Sequence, residues 1–134
     1  MDKELGKTPK EIVKQLAFGL GFDLVGVCKA KEFRTHQSVV LQRIQDGLME
    51  GLPWYSPTRV IRGTDPLALL PEARSIISLA MSYNISENVR LDASKGRVAR
   101  YAWGDDYHRV MKARMKEFVS QLSQSIQTDV LGRW

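Results

Sequence analysis

The segment 96–109 is the densest polar cluster of the sequence, and it contains two carboxylates, a phenol and an imidazole in succession at Asp105–His108. A phenol and an imidazole can donate hydrogen bonds or move protons near neutral pH. A helix beginning here would present Tyr107 and His108 to a shared pocket, beside its free backbone N–H groups. The alternative is structural: Asp105 or Asp106 caps the helix and the two rings pack nearby. On the residues alone, the two interpretations carry about equal weight.

Basic and aromatic side chains alternate in and around this cluster. The basic residues are Lys95, Arg97, Arg100, Arg109, Lys112 and Arg114, and the aromatic ones are Tyr101, Trp103 and Tyr107. This pattern suits phosphate contacts combined with stacking on bases. It suits a solvated helix face with a few core aromatics equally well, and the pattern slightly favours that second interpretation. The net charge of +5 is compatible with a phosphate-bearing partner.

The elements that must position this cluster follow from periodicity and from helix-end signals. Thr8, Pro9 and Glu11 form the start of a capping box, and a stripe from Val110 to Ile126 has helical spacing. The predicted elements are helix 9–20, strand 22–28, helix 31–51, loop 52–66, helical turn 67–70, strand 75–83, a short extended piece in 96–103 and a helix from Asp105 or Asp106 to about 126. Alternating helices and strands predict a layered α/β fold. Two strands do not complete a sheet, so we expect the fold to be incomplete.

Composition narrows the function classes. Hydrophobic residues make up 43% and charged residues 26% of the 134 residues, as in a soluble globular domain. There is no apolar stretch of membrane-spanning length and no secretory signal, so we expect a cytoplasmic protein with no membrane partner. Cys28 is the single cysteine, and we predict a buried structural thiol rather than a nucleophile. His36 and His108 have no zinc-ligand spacing, so no metal site is predicted.

Three segments, which occur along the chain in the same order as in one known family, resemble that family. The run Gly96–His108 is similar to the ARYA-x-G-x-DYH signature of epoxyqueuosine reductases. The run 65–83, which contains L-L-P-E-A-R-S-I-I-S, is similar to the DP…LLP-x-AR-S-V-I-S segment of that family. The run 21–27 matches the first passage from helix to strand. Together the three segments are specific, and the resemblance covers nearly the whole chain.

The resemblance implies an oxidoreductase of queuosine biosynthesis that reduces epoxyqueuosine in tRNA to queuosine. Electrons would pass through two [4Fe–4S] clusters to cobalamin, from a donor that the sequence does not identify. The implied fold is a nitroreductase-like sandwich of sheet and helices, with 1–134 as the N-terminal part of its cobalamin-binding domain, and we expect a monomer. By resemblance, the catalytic residues are Asp106, Tyr107 and His108, and the cobalamin contacts are Arg100, Tyr101, Tyr107 and His108.

The sequence departs from the family in three places. The family's proton-donating aspartate lies in a V-D-x-x-P segment that this sequence does not reach, and Asp129 in T-D-V-L-G is not assigned that role. The cysteine-rich iron–sulfur part is absent, and an acidic, Met-containing loop of many members is replaced by Leu52–Gly63. We therefore expect an N-terminal fragment that is inactive alone. The alternatives are a stand-alone basic RNA-binding module without catalysis and a small flavin oxidoreductase of related fold.

Overall fold

The computed structural model describes residues 8–84, 96 and 98–134. This described part is a mixed α/β arrangement with a two-stranded sheet. Its elements are α1 (Pro9–Gly19), β1 (Leu24–Lys29), α2 (Arg34–Gln45), α3 (Pro57–Gly63), α4 (Pro66–Leu69), β2 (Ser75–Ala80), a 3-10 helix (Arg100–Ala102) and α5 (Tyr107–Ile126). The described residues of 1–26, 78–132 and 134 form one compact unit, and 27–77 with 133 form another.

Helix α1 begins at the predicted capping box. The Thr8 hydroxyl accepts a hydrogen bond from the Glu11 amide at 3.3 Å, and the Glu11 carboxylate accepts one from the Thr8 amide at 2.7 Å. Two of the amides that a helix leaves unpaired are satisfied in this way. Gly21 follows the helix with a φ of +78°, in the left-handed region that glycine adopts without strain.

The two strands are antiparallel, because the Asp23 amide donates to the Ala80 carbonyl and the Ala30 amide donates to the Arg74 carbonyl. The short apolar runs at 22–28 and 75–83 predict buried strands, and that prediction is wrong: neither strand contains a buried residue. In the first part of β1, exposed and half-buried positions alternate, as in an antiparallel sheet with one face toward solvent. Cys28 points to the open side, so its thiol is exposed and the predicted buried thiol is also wrong.

The region between the strands is more helical than predicted. The second helix, predicted over 31–51, runs only from Arg34 to Gln45, and the chain then turns through Gly47 and Gly51, both with positive φ. The predicted loop 52–66 contains α3. Its Pro57 stands at the first helical turn, where no N–H is needed, and the Ser56 hydroxyl accepts from the Arg59 amide at 3.3 Å. The predicted helical turn at 67–70 is confirmed as α4, which begins one residue earlier, at Pro66.

The described core of the first unit lies between α1 and α5. Its buried side chains are Val13, Ala17, Phe22, Phe118 and Leu122. The apolar stripe predicted for the last helix is therefore confirmed at its centre, and α5 ends at Ile126 as expected. Trp103 precedes this helix and is only half-buried. The short extended piece predicted within 96–103 is instead a 3-10 turn over Arg100–Ala102, while Arg97 lies outside the described residues.

Candidate functional site

Asp106 begins α5 and fixes the position of the next histidine. One carboxylate oxygen, Oδ1, accepts from the His108 backbone amide at 2.9 Å and lies 2.9 Å from Nδ1 of the His108 ring. Of the two predicted caps, Asp106 is therefore the one that the structure uses. Asp105 instead accepts a hydrogen bond from Arg109 at 3.3 Å, one helical turn further on. Helix capping and orientation of the imidazole are thus achieved by one side chain.

The charge of Asp106 determines which nitrogen of the His108 ring carries the proton. The hydrogen bond from the His108 ring, followed by the one from its backbone amide, holds the pKa of the Asp106 carboxyl below its usual range. An ionised carboxylate only accepts, so Nδ1 of His108 carries the proton in this contact. In the neutral imidazole, Nε2 is then the acceptor. The His108 side chain is 72% exposed, which leaves this second nitrogen accessible.

Tyr107 lies between His108 and a second tyrosine. Its ring stacks on the His108 imidazole with centroids 4.0 Å apart and planes at 28°. Its other neighbour is Tyr101, in an edge-to-face contact at 6.3 Å and 84°. Both geometries are those that aromatic pairs prefer. Tyr101, Tyr107 and His108 are all exposed, so they form an open aromatic face.

The 3-10 helix brings Arg100 and Tyr101 to this face. Its carboxyl end is held by the Trp103 indole, whose Nε1 donates to the Val98 carbonyl at 3.0 Å. The Arg100 guanidinium donates to the Asn84 side-chain carbonyl, while Tyr101 meets Tyr107. The five residues expected at the site, which are Arg100, Tyr101, Asp106, Tyr107 and His108, thus occupy one region of one unit.

Two neighbours of this region, Tyr83 and Asn84, are not among the site residues expected from the sequence. Tyr83 contacts Tyr101 edge-to-face at 6.5 Å, and Asn84 accepts from Arg100. Tyr83 and Asn84 lie three and four residues after the end of β2, whereas their partners come after a long intervening segment. The sequence offers one signal for them. An aromatic and an amide residue follow a strand, and binding residues are frequent in the segments that connect secondary-structure elements.

The site is an open surface. One depression of the described residues, about 470 Å³ in volume, is lined by Ile12, Gln15, Leu16 and Ser125. Ser125 lies near the opposite end of α5 from Tyr107, about 27 Å away at 1.5 Å per residue. In 8–84, 96 and 98–134, no three histidine, cysteine or carboxylate side chains come together as metal ligands. No helix of these residues has the length and apolar character needed to cross a bilayer.

Comparison with known proteins assigns the chain to a family. The family model described as "Epoxyqueuosine reductase QueG, DUF1730" matches residues 64–133, more than half of the chain and the part that includes Arg100 to His108. The chain belongs to this family. The resemblance read from the sequence is therefore confirmed.

Curated epoxyqueuosine reductases are similar to the chain over most of its length. One from Cyclobacterium marinum is 32% identical over 92% of this chain and 39% of its own. One from Leadbetterella byssophila is 32% identical over 85% of this chain and 37% of its own. One from Synechocystis is 40% identical over 43% of this chain and 20% of its own. The chain thus spans less than two fifths of the length of these epoxyqueuosine reductases.

No solved structure matches the chain. The mixed α/β class is shown by the helices and the sheet themselves. The nitroreductase-like architecture stays a prediction, as do the assignment of 1–134 to one cobalamin-binding domain and the roles of the site residues.

Proposed function

We propose that this chain is the N-terminal part of an enzyme that reduces epoxyqueuosine in tRNA to queuosine. The observation that carries the proposal is the Asp106–His108 pair beside Tyr107, on an open aromatic face inside the region that matches the family. Removing the epoxide oxygen as water, to leave an alkene, takes two electrons and two protons. The imidazole and the phenol are groups that can hold and deliver such protons near neutral pH.

The roles of the three residues differ. Nε2 of His108 is the accessible nitrogen, so His108 is positioned to exchange a proton with a bound substrate. The hydroxyl of Tyr107 can donate a hydrogen bond to an oxygen of that substrate. Asp106 holds the imidazole through Nδ1 and keeps it in one tautomer. It acts through His108, and is a positioning residue.

The exposed rings and the guanidinium fit a cobalamin. Arg100, Tyr101, Tyr107 and His108 would hold it, because the rings offer flat apolar faces and the charged and polar groups can bond to peripheral amides or the phosphate. When bound, this cofactor supplies low-potential electrons to the substrate. The protein's contribution is to bind, to orient and to provide protons through His108 and Tyr107.

The residues do not fit a [4Fe–4S] cluster. Such a cluster is held by four thiolates, and Cys28 is the single cysteine of the sequence. No electron step is therefore assigned to this chain's own residues. We propose that the two clusters of the family bind outside it, and that the chain by itself forms no queuosine. We also propose a monomer that works on tRNA in the cytoplasm, with an electron donor still to be identified.

A chimera tests this function. Residues 1–134 would replace the matching N-terminal region of the Cyclobacterium marinum reductase, and the chimera would be expressed in cells that lack their own epoxyqueuosine reductase. We expect queuosine to replace epoxyqueuosine in tRNA, as measured by mass spectrometry of nucleosides. His108→Ala in the chimera should strongly reduce this product, and His36→Ala, in α2, is the matched control. A folded chimera without any queuosine would refute the proposal, and queuosine formed by the 134-residue chain alone would refute the cluster argument.

A second candidate is a stand-alone RNA-binding module without catalysis. It is supported by residues 98–116, which carry five cationic and two acidic side chains among exposed tyrosines. Binding of this kind falls steeply with salt concentration. RNA binding with a steep salt dependence, together with a folded but inactive chimera, would favour this candidate. The flavin oxidoreductase alternative would require a purified protein that is yellow.

A further inference from the structure

The chain that leaves β2 is held by contacts on both sides. The Ser82 amide donates to the Asp23 carboxylate at 2.6 Å, and the Asn84 amide donates to the Ser82 hydroxyl at 3.2 Å. Met81 receives a contact from the Arg114 guanidinium at 3.5 Å, and the same nitrogen donates to the Gly21 carbonyl at 2.8 Å. Residues 81–84 are thus fastened to α5 and to the segment that precedes β1.

Three of the four tyrosines of the sequence form a continuous ladder that starts from this fastened segment. Tyr83 meets Tyr101 at 6.5 Å and 78°, and Tyr101 meets Tyr107 at 6.3 Å and 84°. Their exposed fractions are 64%, 55% and 49%, respectively. Burial would explain aromatic clustering in a core, but it does not explain a ladder whose rings are about half exposed or more.

One cation, the Arg100 guanidinium, lies beside the ladder. Asn84 accepts from Arg100, and this bond is one of the contacts that orient the guanidinium beside Tyr101. Stacking rings next to oriented cations are the combination that binds unpaired nucleotides, because every base has a π face and every nucleotide has a phosphate.

We propose that Tyr83 stacks on a base of an unpaired RNA loop, and that Asn84 is a positioning residue that directs Arg100 to a phosphate of the same loop. This rests on the proposed function and extends its site to the residues that follow β2. The five N–H donors of the guanidinium allow Arg100 to contact this phosphate as well as the cofactor. The base is one that neighbours the nucleotide held at Tyr107 and His108, because Tyr101 separates Tyr83 from those residues.

Direct binding by the 134-residue chain tests the proposal. The probe is a fluorescein-labelled RNA hairpin with an unpaired loop, and its affinity is measured by anisotropy. Tyr83→Ala should weaken binding about tenfold, the usual effect of removing one stacked ring, while Tyr83→Phe should stay within about twofold. Tyr55→Ala removes an exposed tyrosine of the other unit and should change nothing. Because Tyr83 is exposed, its variants should keep the wild-type far-UV circular dichroism.

The salt dependence distinguishes stacking from positioning. Tyr83→Ala should leave the slope of log Kd against log salt unchanged, because stacking releases no counterion. Asn84→Ala should lower that slope by about 0.7, the value for one phosphate contact on a single strand. A purely structural role of Asn84 would weaken binding without this selective change in slope.

Several outcomes overturn the proposal. For Tyr83, these are an unchanged RNA affinity of Tyr83→Ala, or equal losses of affinity in Tyr83→Ala and Tyr83→Phe. For Asn84, it is an unchanged slope of log Kd against log salt in Asn84→Ala. For the wild-type chain, it is an affinity for the hairpin loop that is no higher than its affinity for a duplex. If the chimera forms queuosine while one of these is observed, this inference fails and the proposed function stands. If the variants behave as expected while a folded chimera forms no queuosine, the proposed function fails and the RNA surface stands.

Discussion

Replacing Gly21 by alanine should destabilise the chain. Gly21 has a φ of +78°, and an added Cβ would lie 2.7 Å from Nη1 of Arg114. The guanidinium cannot simply move aside, because the same nitrogen donates to the Gly21 carbonyl at 2.8 Å. The substitution therefore strains the backbone and breaks a bond between α5 and the turn after α1.

The magnitude follows from these two effects. A left-handed conformation costs an alanine about 1–2 kcal/mol. The lost hydrogen bond costs about 1 kcal/mol. We expect the free energy of unfolding to fall by about 2–3 kcal/mol, which lowers the melting temperature by about 10 °C in a chain of this size.

Urea unfolding followed by far-UV circular dichroism measures this loss. Gly19→Ala is the matched control: Gly19 is the last residue of α1, and a Cβ there would meet nothing within 4 Å. Because alanine is the better helix residue, we expect that control to gain about 0.5–1 kcal/mol. In an Arg114→Met background, the cost of Gly21→Ala should shrink by about 1 kcal/mol. An unchanged unfolding midpoint in Gly21→Ala, or equal effects of the two glycine substitutions, would refute this reasoning.

Three further predictions concern single side chains. Acidification should loosen the start of α5: the folded pKa of Asp106 lies below its usual range, so its contribution to stability is complete above pH about 4 and is lost as the pH falls through the folded pKa. The protection factor of the His108 amide should report this loss, and Asp106→Asn should abolish the pH dependence. The exposed thiol of Cys28 should react with iodoacetamide in the native chain within a few-fold of its rate in urea, whereas strong native protection would contradict its exposure. Thr8→Ala should lower the unfolding free energy by about 1 kcal/mol through loss of the capping box, while Ser38→Ala, at an exposed hydroxyl in α2, should have almost no effect.

The sequence predicted those elements whose causes are local. The capping box at Thr8 and the apolar stripe of α5 depend on residues three or four positions apart, and both are confirmed. The prediction of a loop over 52–66 is wrong, because a proline does not always exclude a helix. Pro57 instead occupies a first-turn position, where its fixed φ suits a helix and its missing N–H costs nothing.

Burial was harder to predict than element type. The apolar runs of both strands resemble buried strands, but burial of a strand depends on what covers each face of its sheet. In the described part of the chain, the sheet has two strands and an exposed side, so Leu24 and Cys28 point outward. No periodicity within a six-residue strand reports how many neighbours the sheet has.

The contacts of the candidate site are likewise of two kinds, those between neighbouring residues and those between distant segments. Asp106 and His108 are two residues apart, so their contact follows from the start of a helix and could be predicted from the sequence. The contact of Tyr83 with Tyr101, and that of Asn84 with Arg100, join segments separated by residues 85–95. Such pairs depend on the path of the backbone, which is fixed here by Asp23 and Arg114 rather than by any local motif.

The hydrogen bonds of Asp106 also limit which group can supply a proton in the proposed reaction. A general acid must hold its proton near the working pH, and a carboxyl with a lowered pKa is ionised there. We therefore propose that Asp106 acts through His108 rather than as that acid. Its carboxylate instead favours a protonated Nδ1 on His108 and leaves Nε2 facing outward. The proton must then come from the His108 imidazolium, from Tyr107 or from outside these residues, so Asp106→Asn should impair catalysis through the orientation of His108, not through loss of an acid.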